Sequence, residues 1–293
     1  MHWSERRERF RVLIEGKRCV YPGSVFDPIS SRIAEELGFE VGMFAGSVGS
    51  MAVLGSPDLI LLSLSEFAEQ AYRICRASNL ALLVDADHGY GNALNVRRTV
   101  EELETAGVAA LTIEDTTLPQ SYGTVGGTGL ISIEEGVGKM KAALNGRQDP
   151  SLVIAGRTGA MAITGAEDTV ARIRAYELAG VDAVFLSGVT NTEQLAMVSD
   201  AVKIPIFLGG SASALGDINS LSAAGVRICL QGHHPFQAAV KATYDTLKAL
   251  REGTPPSELM TPAPKEMLNR LTRDEDHKRW MREWLGGEMA ERE

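Results

Sequence analysis

Residues 84–92 read VDADHGYGN. An apolar run, LALLV, stops at Asp85, and a second carboxylate, Asp87, follows two residues on. Side chains two apart on extended backbone project to the same side, so both acids face one way if the strand continues. Glu114 ends another apolar run, in LTIED, and supplies a third acid from the adjacent strand. Carboxylates converging where the dielectric is low repel one another strongly. A divalent cation resolves that repulsion, and oxygen donors with no cysteine cluster favour Mg²⁺ or Mn²⁺ over Zn²⁺. His88 has no HxxxH partner and reads as a group behind the ligands. A lone DxD is equally a capped strand end with solvated acids, so its companions decide.

Those companions stand at the ends of other apolar runs. Arg157, in GRT, is the one strand-end cation facing the acids. It suits a bidentate clamp on a substrate carboxylate, or an ion pair with the same acids. Ser47, in GSVGS, and the N–H groups after it suit an anionic oxygen; a turn serine is the other reading. His233 and His234 follow the last run, and either could donate a proton to a developing enolate. Asp58 lies in the loop after the second strand. The stretch TTLPQSYGTVGGTGLI is long and glycine-rich, as a lid that excludes water would be. GGSAS at 209–213 reads as a turn rather than a phosphate loop, because the acid cluster already accounts for the site.

Positioning these groups requires a repeated frame. ELGFEVGMFAGS, TAGVAALTIED, LAGVDAVFLSG and AAGVRICLQGH share one grammar: a helix end, a glycine, a short apolar strand, then a Gly, Ser or acid. LALLVDAD, LVIAGRT and IPIFLGG add three strands, and CVYPGSVFD an eighth. Their Val, Ile, Leu and Ala content with little alternation suits parallel strands covered on both faces. Helical periodicity lies between them at 64–78, 93–106, 167–179 and 236–250. Eight such units predict a (β/α)₈ TIM barrel over residues 1–251, whose catalytic groups sit at the C-terminal ends of the strands. No GxGxxG follows the first strand, which disfavours a doubly wound sheet. A Pro-rich linker at 252–264 and a C-terminal helical extension at 265–293 follow. The extension carries one helix over roughly 265–285, with Trp280 and Trp284 among its apolar positions and Gly286–Gly287 as its stop. Such a helix is expected to pack on, or exchange with, a neighbouring subunit.

Composition excludes several classes. The 293 residues are 44% hydrophobic and 23% charged, with a net charge of −9, which argues against nucleic acid or an anionic membrane as partner. The start, MHWSERRERF, has no apolar signal-peptide segment, and no apolar run approaches the ~18 residues of a bilayer span. Cys19, Cys75 and Cys229 are scattered and odd in number, as buried thiols of a cytoplasmic protein would be.

GSVFDPIS, AGSVGS, SPD, VDADHGYGN, LTIEDTTLPQ, EEGVGKMKAAL, GRTGA and QGHHPF together resemble the isocitrate lyase/phosphoenolpyruvate mutase superfamily. Within it the chain looks most like the oxaloacetate decarboxylase family, over roughly residues 10–250. The resemblance implies a Mg²⁺-dependent α-keto acid site. Asp85 matches the metal-ligand aspartate, and Asp87, Asp58 and Glu114 match acids that hold the metal, partly through water. Ser47 and Arg157 match groups that bind the substrate carboxylate, and His233, rather than His234, matches a substrate-contacting histidine. It also implies a homotetramer with a C-terminal helix exchanged between subunits. The chain departs from the superfamily's C–C lyases, whose lid carries a KKCGH-type motif; here the lid reads QSYGTVGGTG. Gly159 and GGSAS also differ from many relatives. The expected activity is decarboxylation of oxaloacetate to pyruvate and CO₂. The alternatives are a C–C lyase or P–C bond enzyme of the same superfamily and, more remotely, a non-catalytic keto-acid-binding barrel.

Overall fold

A computed structural model describes residues 2–123, 129–210, 214–259 and 262–286. Its centre is one parallel sheet in sequential order: β1 (Gly23–Ser24), β2 (Val41–Phe44), β3 (Ala81–Asp85), β4 (Ala110–Glu114), β5 (Val153–Thr158), β6 (Ala183–Ser187), β7 (Ile206–Gly209) and β8 (Val226–Cys229). Val20, just ahead of β1, donates to the Arg227 carbonyl at 2.9 Å and accepts from the Cys229 N–H at 3.1 Å. That bridge returns the last strand to the first, as the expected (β/α)₈ barrel requires.

The helices in chain order are α1 (Trp3–Glu15), α2 (Pro28–Glu36), α3 (Gly46–Gly49), α4 (Leu64–Ala77), α5 (Ala93–Thr105), α6 (Ile133–Gly146), α7 (Ala160–Ile163), α8 (Ala166–Ala179), α9 (Thr192–Ala201), α10 (Ile218–Ala223) and α11 (His234–Arg251). A π-helical turn, Ser50–Leu54, follows α3. Their starts are written in side chains: Asp27, Ser63, Asn92, Ser132, Asn191 and Asp217 each accept from an N–H of the first helical turn.

The strands bury both faces. Met43, Leu83, Ala155, Phe207 and Ile228 belong to an inner cluster. Phe44, Leu82, Leu111, Ile154 and Leu208 belong to an outer one shared with the helices. Phe10 and Ile14 of α1 join the inner cluster, so this helix closes the floor of the barrel. Arg7 Nε donates to the Val108 carbonyl at 3.0 Å and Arg11 to the Leu152 carbonyl at 3.1 Å, both just ahead of strand N-termini. The mixed charges of the N-terminal segment had given no sign of this helix, because its arginines satisfy backbone carbonyls rather than water.

Residues Met1–Phe236 form one compact unit and Gln237–Glu293 a second, so most of α11 belongs with the C-terminal segment. In that segment the expected single helix is two, α12 (Lys265–Leu271) and α13 (Asp274–Leu285). The chain breaks at Arg273, which takes φ 58°, and the acids Asp274, Glu275 and Asp276 start the new helix where its dipole favours them. Trp280 and Trp284 stack within α13, ring centroids 5.7 Å apart. Gly286 caps α13, while Gly287 lies outside the described residues.

Candidate active site

The inward rows of β3, β4 and β5 end in a charged side chain and that of β6 in a serine. In β3 the row runs Ala81, Leu83, Asp85; in β4 Ala110, Thr112, Glu114; in β5 Val153, Ala155, Arg157; in β6 Ala183, Phe185, Ser187. Register places Glu114 beside Arg157 and Thr112 beside Asp85. Above the row lies a cavity of about 540 Å³. Ser47, Asp58, Asp85, Asp87, Glu114, Arg157 and His233 all line it, so the structure brings together every site residue expected from the sequence.

Arg157 is the hub of the charge. It ion-pairs with Asp85, and its Nε lies 3.1 Å from Glu114 Oε2. That second approach misses hydrogen-bond angle, leaving Nε without a hydrogen-bond partner. The guanidinium also sits over the Phe185 ring, 5.4 Å from its centroid. Burial alone would lower the Arg157 pKa, but Asp85 and Glu114 raise it above the ordinary value. Asp85 is held further by Thr112 Oγ1, which donates to Oδ1 at 3.0 Å.

Asp87 lies just past the strand, in a turn with φ 48°. Its carbonyl accepts from the Glu114 N–H at 2.8 Å. Its carboxylate rests on Gly46, where a Cβ would fall 2.4 Å from Oδ2. Burial, then Asp85, Glu114 and Asp58, push the Asp87 carboxyl well above the carboxylate range. Burial likewise raises Glu114 against the pull of Arg157. Asp58 is raised by desolvation and by Asp85, against Arg157 and His233.

The rest of HGYGN builds this turn. Gly89, Tyr90 and Gly91 take positive φ, and Asn92 then caps α5. Lys139 of α6, itself buried, donates to the His88 carbonyl at 2.9 Å, and Thr99 Oγ1 to the Gly89 carbonyl at 3.0 Å. His88 is buried away from the cavity lining; burial and then Lys139 lower its pKa to about 4.

His233 follows Gly232, which takes φ 84°. Its Nδ1 lies 3.0 Å from Ser24 Oγ. Burial lowers its pKa while Asp85 and Asp58 oppose the shift. His234 begins α11, is exposed and is absent from the lining. At the foot of the glycine-rich loop, the Thr117 N–H donates to the Gly129 carbonyl at 2.8 Å. Leu118, Pro119 and Gln120 reach the cavity; residues 124–128 of this expected lid lie outside the described residues. Of GGSAS, Gly209 and Gly210 line the cavity and 211–213 lie outside the described residues.

Sequence reasoning missed several participants. Ser187 ends β6 and Phe185 lies two residues before it on the same face, positions that the period-two rule would have found. Leu59, Ile60 and Leu230 add apolar wall with no sequence signal. Asp115, the residue after Glu114, faces the opposite way. It is fully buried, accepting from Tyr176 Oη at 2.7 Å and Arg172 at 3.0 Å.

The donor set suits a hard divalent cation. Four carboxyl groups face one arginine among the described lining residues, and the donors those acids offer are all oxygen. Among the described residues no three such side chains already form a closed metal group. Mg²⁺ does not need one: it is commonly held by one or two carboxylates and keeps several waters.

The phosphoenolpyruvate phosphomutase family model matches residues 10–251. An oxaloacetate decarboxylase from Bradyrhizobium diazoefficiens is 57% identical over 278 residues, 95% of this chain and 96% of that protein. A phosphonopyruvate hydrolase solved with oxalate and Mg²⁺ superposes with TM-score 0.84 at 27% identity, covering 96% of this chain and 99% of the other. An oxaloacetate acetylhydrolase in complex with 3,3-difluorooxalacetate gives 0.83 at 26% identity, covering 98% and 99%.

Proposed function

Because the chain belongs to the phosphoenolpyruvate phosphomutase family, we propose that it decarboxylates oxaloacetate to pyruvate and CO₂, with Mg²⁺ or Mn²⁺ at the acid cluster. One observation carries this choice within the family. The cavity gathers four carboxylates, one arginine and one histidine, but no cysteine or lysine among its described lining residues. Lyase chemistry on a hydroxy acid needs a base for the hydroxyl and a dedicated acid for the carbanion. Decarboxylation of a β-keto acid needs neither to break its bond. The relative named oxaloacetate decarboxylase supports the same reading.

Asp85 is the direct metal ligand in this proposal, and Asp87, Asp58 and Glu114 hold the ion directly or through water. The cation would supply Lewis-acid polarisation of the C2 keto oxygen. Arg157 and Ser47 hold the substrate carboxylate and orient it. The C3–C4 bond then breaks, its electron pair becomes the C2–C3 double bond, and the C2 oxygen takes up negative charge. Arg157 stabilises that charge where it develops. The C4 carboxylate leaves as neutral CO₂, for which the apolar wall of Leu59, Ile60 and Leu230 is suited. His233 steers protonation at C3, which completes pyruvate.

The barrel carries the chemistry in this reading, and the C-terminal segment serves assembly. Val240, Tyr244 and Leu247 of α11 and Trp284 of α13 are exposed, as a homotetramer with exchanged helices would require. The three free cysteines are all buried, in keeping with a cytoplasmic enzyme. Among the described residues no helix is long and apolar enough to cross a membrane.

The test is initial rates with Mg²⁺ on oxaloacetate, methylisocitrate, dimethylmalate and phosphonopyruvate. Oxaloacetate should have the highest kcat/KM. Preference for another member would assign the site to lyase or P–C chemistry. Mg²⁺-dependent binding without turnover of any would make the barrel a binding protein.

A further inference from the structure

Ser24 is buried, belongs to the two-residue strand β1 and does not line the cavity. Its hydroxyl nevertheless lies 3.0 Å from Nδ1 of His233, 209 residues away in sequence. The backbone beneath it is fixed. Ser24 stands in register with Met43 of β2, and the Val25 N–H donates to the Met43 carbonyl at 2.9 Å. Two residues on, Phe26 meets Phe236 edge to face, ring centroids 5.3 Å apart. Phe236 is the third residue after His233, so the two segments are joined at both places. The Leu230 N–H donates to the Leu208 carbonyl at 2.8 Å, which anchors the chain entering the histidine turn.

We propose that Ser24 is a positioning residue for His233: its hydroxyl donates to Nδ1, fixes the ring, and leaves the Nε2–H tautomer for the substrate. A neutral imidazole carries one N–H, and the hydrogen bond made by one nitrogen decides the role of the other. A ring with Nδ1 as acceptor has Nε2–H as donor, the form that can hydrogen-bond a developing oxyanion. Other ring orientations lose the serine bond, so Ser24 narrows both rotamer and tautomer. The catalytic consequence rests on the decarboxylase reading; the tautomer itself does not.

Two measurements separate these. Long-range ¹H–¹⁵N correlation spectra of the ¹⁵N-histidine-labelled full chain at neutral pH report the tautomer of each of the five histidines, with His233→Ala assigning the signal. His233 should be the Nε2–H form, and Ser24→Ala should shift it toward a mixture. A His233 held as Nδ1–H, or one unaltered by Ser24→Ala, overturns the proposal whatever the substrate proves to be. In turnover, Ser24→Ala should lower kcat about five- to tenfold with KM within twofold, and Ser24→Thr should recover most of it. In a His233→Ala background the Ser24→Ala loss should vanish. A loss that persists undiminished there means Ser24 acts elsewhere and refutes the assignment. If wild type turns over another family substrate, the same cycle is read on that substrate.

Discussion

Gly46→Ala tests the seat of Asp87 without touching a charged group. Gly46 lies outside the positive-φ glycines, so alanine meets no backbone penalty there. Its Cβ would, however, lie 2.4 Å and 2.6 Å from the two Asp87 carboxylate oxygens and 2.7 Å from Cγ. Ordinary contact begins near 3.4 Å, so the carboxylate must withdraw by about 1 Å. Asp87 has a short side chain in a turn tied to β4 by the Glu114 N–H, and it cannot absorb that shift by flexing a long stem. A misplacement of ~1 Å in a reacting constellation costs on the order of 100-fold, or ~2.7 kcal/mol of barrier. The carboxylate faces a cavity, so the fold should tolerate the movement, with the melting temperature changing by only ~2 °C. The assay is initial rates of oxaloacetate loss over a matrix of substrate and Mg²⁺ concentrations, beside a thermal melt. We expect kcat/KM to fall about 100-fold and half-saturating Mg²⁺ to rise. A variant that folds and retains kcat/KM and Mg²⁺ dependence within twofold of wild type would show that the position of Asp87 is immaterial.

Arg157→Lys keeps the charge but loses the planar fork, so kcat/KM should drop at least ~10-fold, ~1.4 kcal/mol; values within twofold would make Arg157 peripheral. EDTA should inactivate the protein and Mg²⁺ or Mn²⁺ restore it, while Asp85→Ala should remove the metal-dependent rate with the circular-dichroism spectrum unchanged. Turnover surviving in that variant would remove Asp85 from the metal site. His233→Ala should slow oxaloacetate turnover substantially without altering Mg²⁺ affinity, and His234→Ala much less, since only His233 lines the cavity; the reverse ranking would refute the placement. At the barrel floor, burial would raise the Asp149 carboxyl, but bonds from Arg7, the Ser151 N–H and Ser4 lower it to about 2. A depressed folded pKa stabilises above the unfolded value of ~3.9 and is lost as pH falls through the folded one. Asp149→Asn should therefore melt below wild type at pH 6, with the gap closing between pH 4 and pH 2; an equal gap throughout would assign the loss to shape.

Strand ends were readable because each apolar run stops abruptly at a polar residue or glycine. Apolar runs gave the eight strands, and reading the residues at their ends gave Asp85, Glu114 and Arg157, which the structure places on the inward row. The barrel follows from that grammar, and the family resemblance supplied the choice of His233 over His234. What was hidden depended on contacts distant in sequence or on orientation past a strand end. Glu114 and Asp115 are adjacent letters, yet one faces the cavity and the other Arg172. No local pattern relates Ser24 to His233. The α1 helix was masked because arginines that serve carbonyls look like solvent-facing charge in sequence. Arg273 offered no glycine or proline to mark the break in the C-terminal helix.

The split between Glu114 and Asp115 also explains how one strand end serves two demands. The cavity acid Glu114 meets Arg157 at 3.1 Å with poor hydrogen-bond geometry and is also hydrogen-bonded by the Thr116 side chain. Asp115 is buried and held at one oxygen, Oδ2, by Arg172 and Tyr176, while its Oδ1 has no hydrogen-bond partner. Arg172 donates to its carboxylate, to the Ile131 carbonyl at 2.9 Å and to Asp168 at 2.8 Å. The Ile131 N–H in turn donates to the Asp115 carbonyl at 2.9 Å. Both feet of the loop between β4 and α6 are thereby pinned outside the cavity, while its Leu118, Pro119 and Gln120 reach inside. Rearranging charge on the inner face leaves the outer carboxylate held, through Oδ2 alone, by Arg172 and Tyr176. The side-chain alternation at the end of β4 thus turns Glu114 to the cavity and Asp115 to the buried Arg172 and Tyr176, one residue apart.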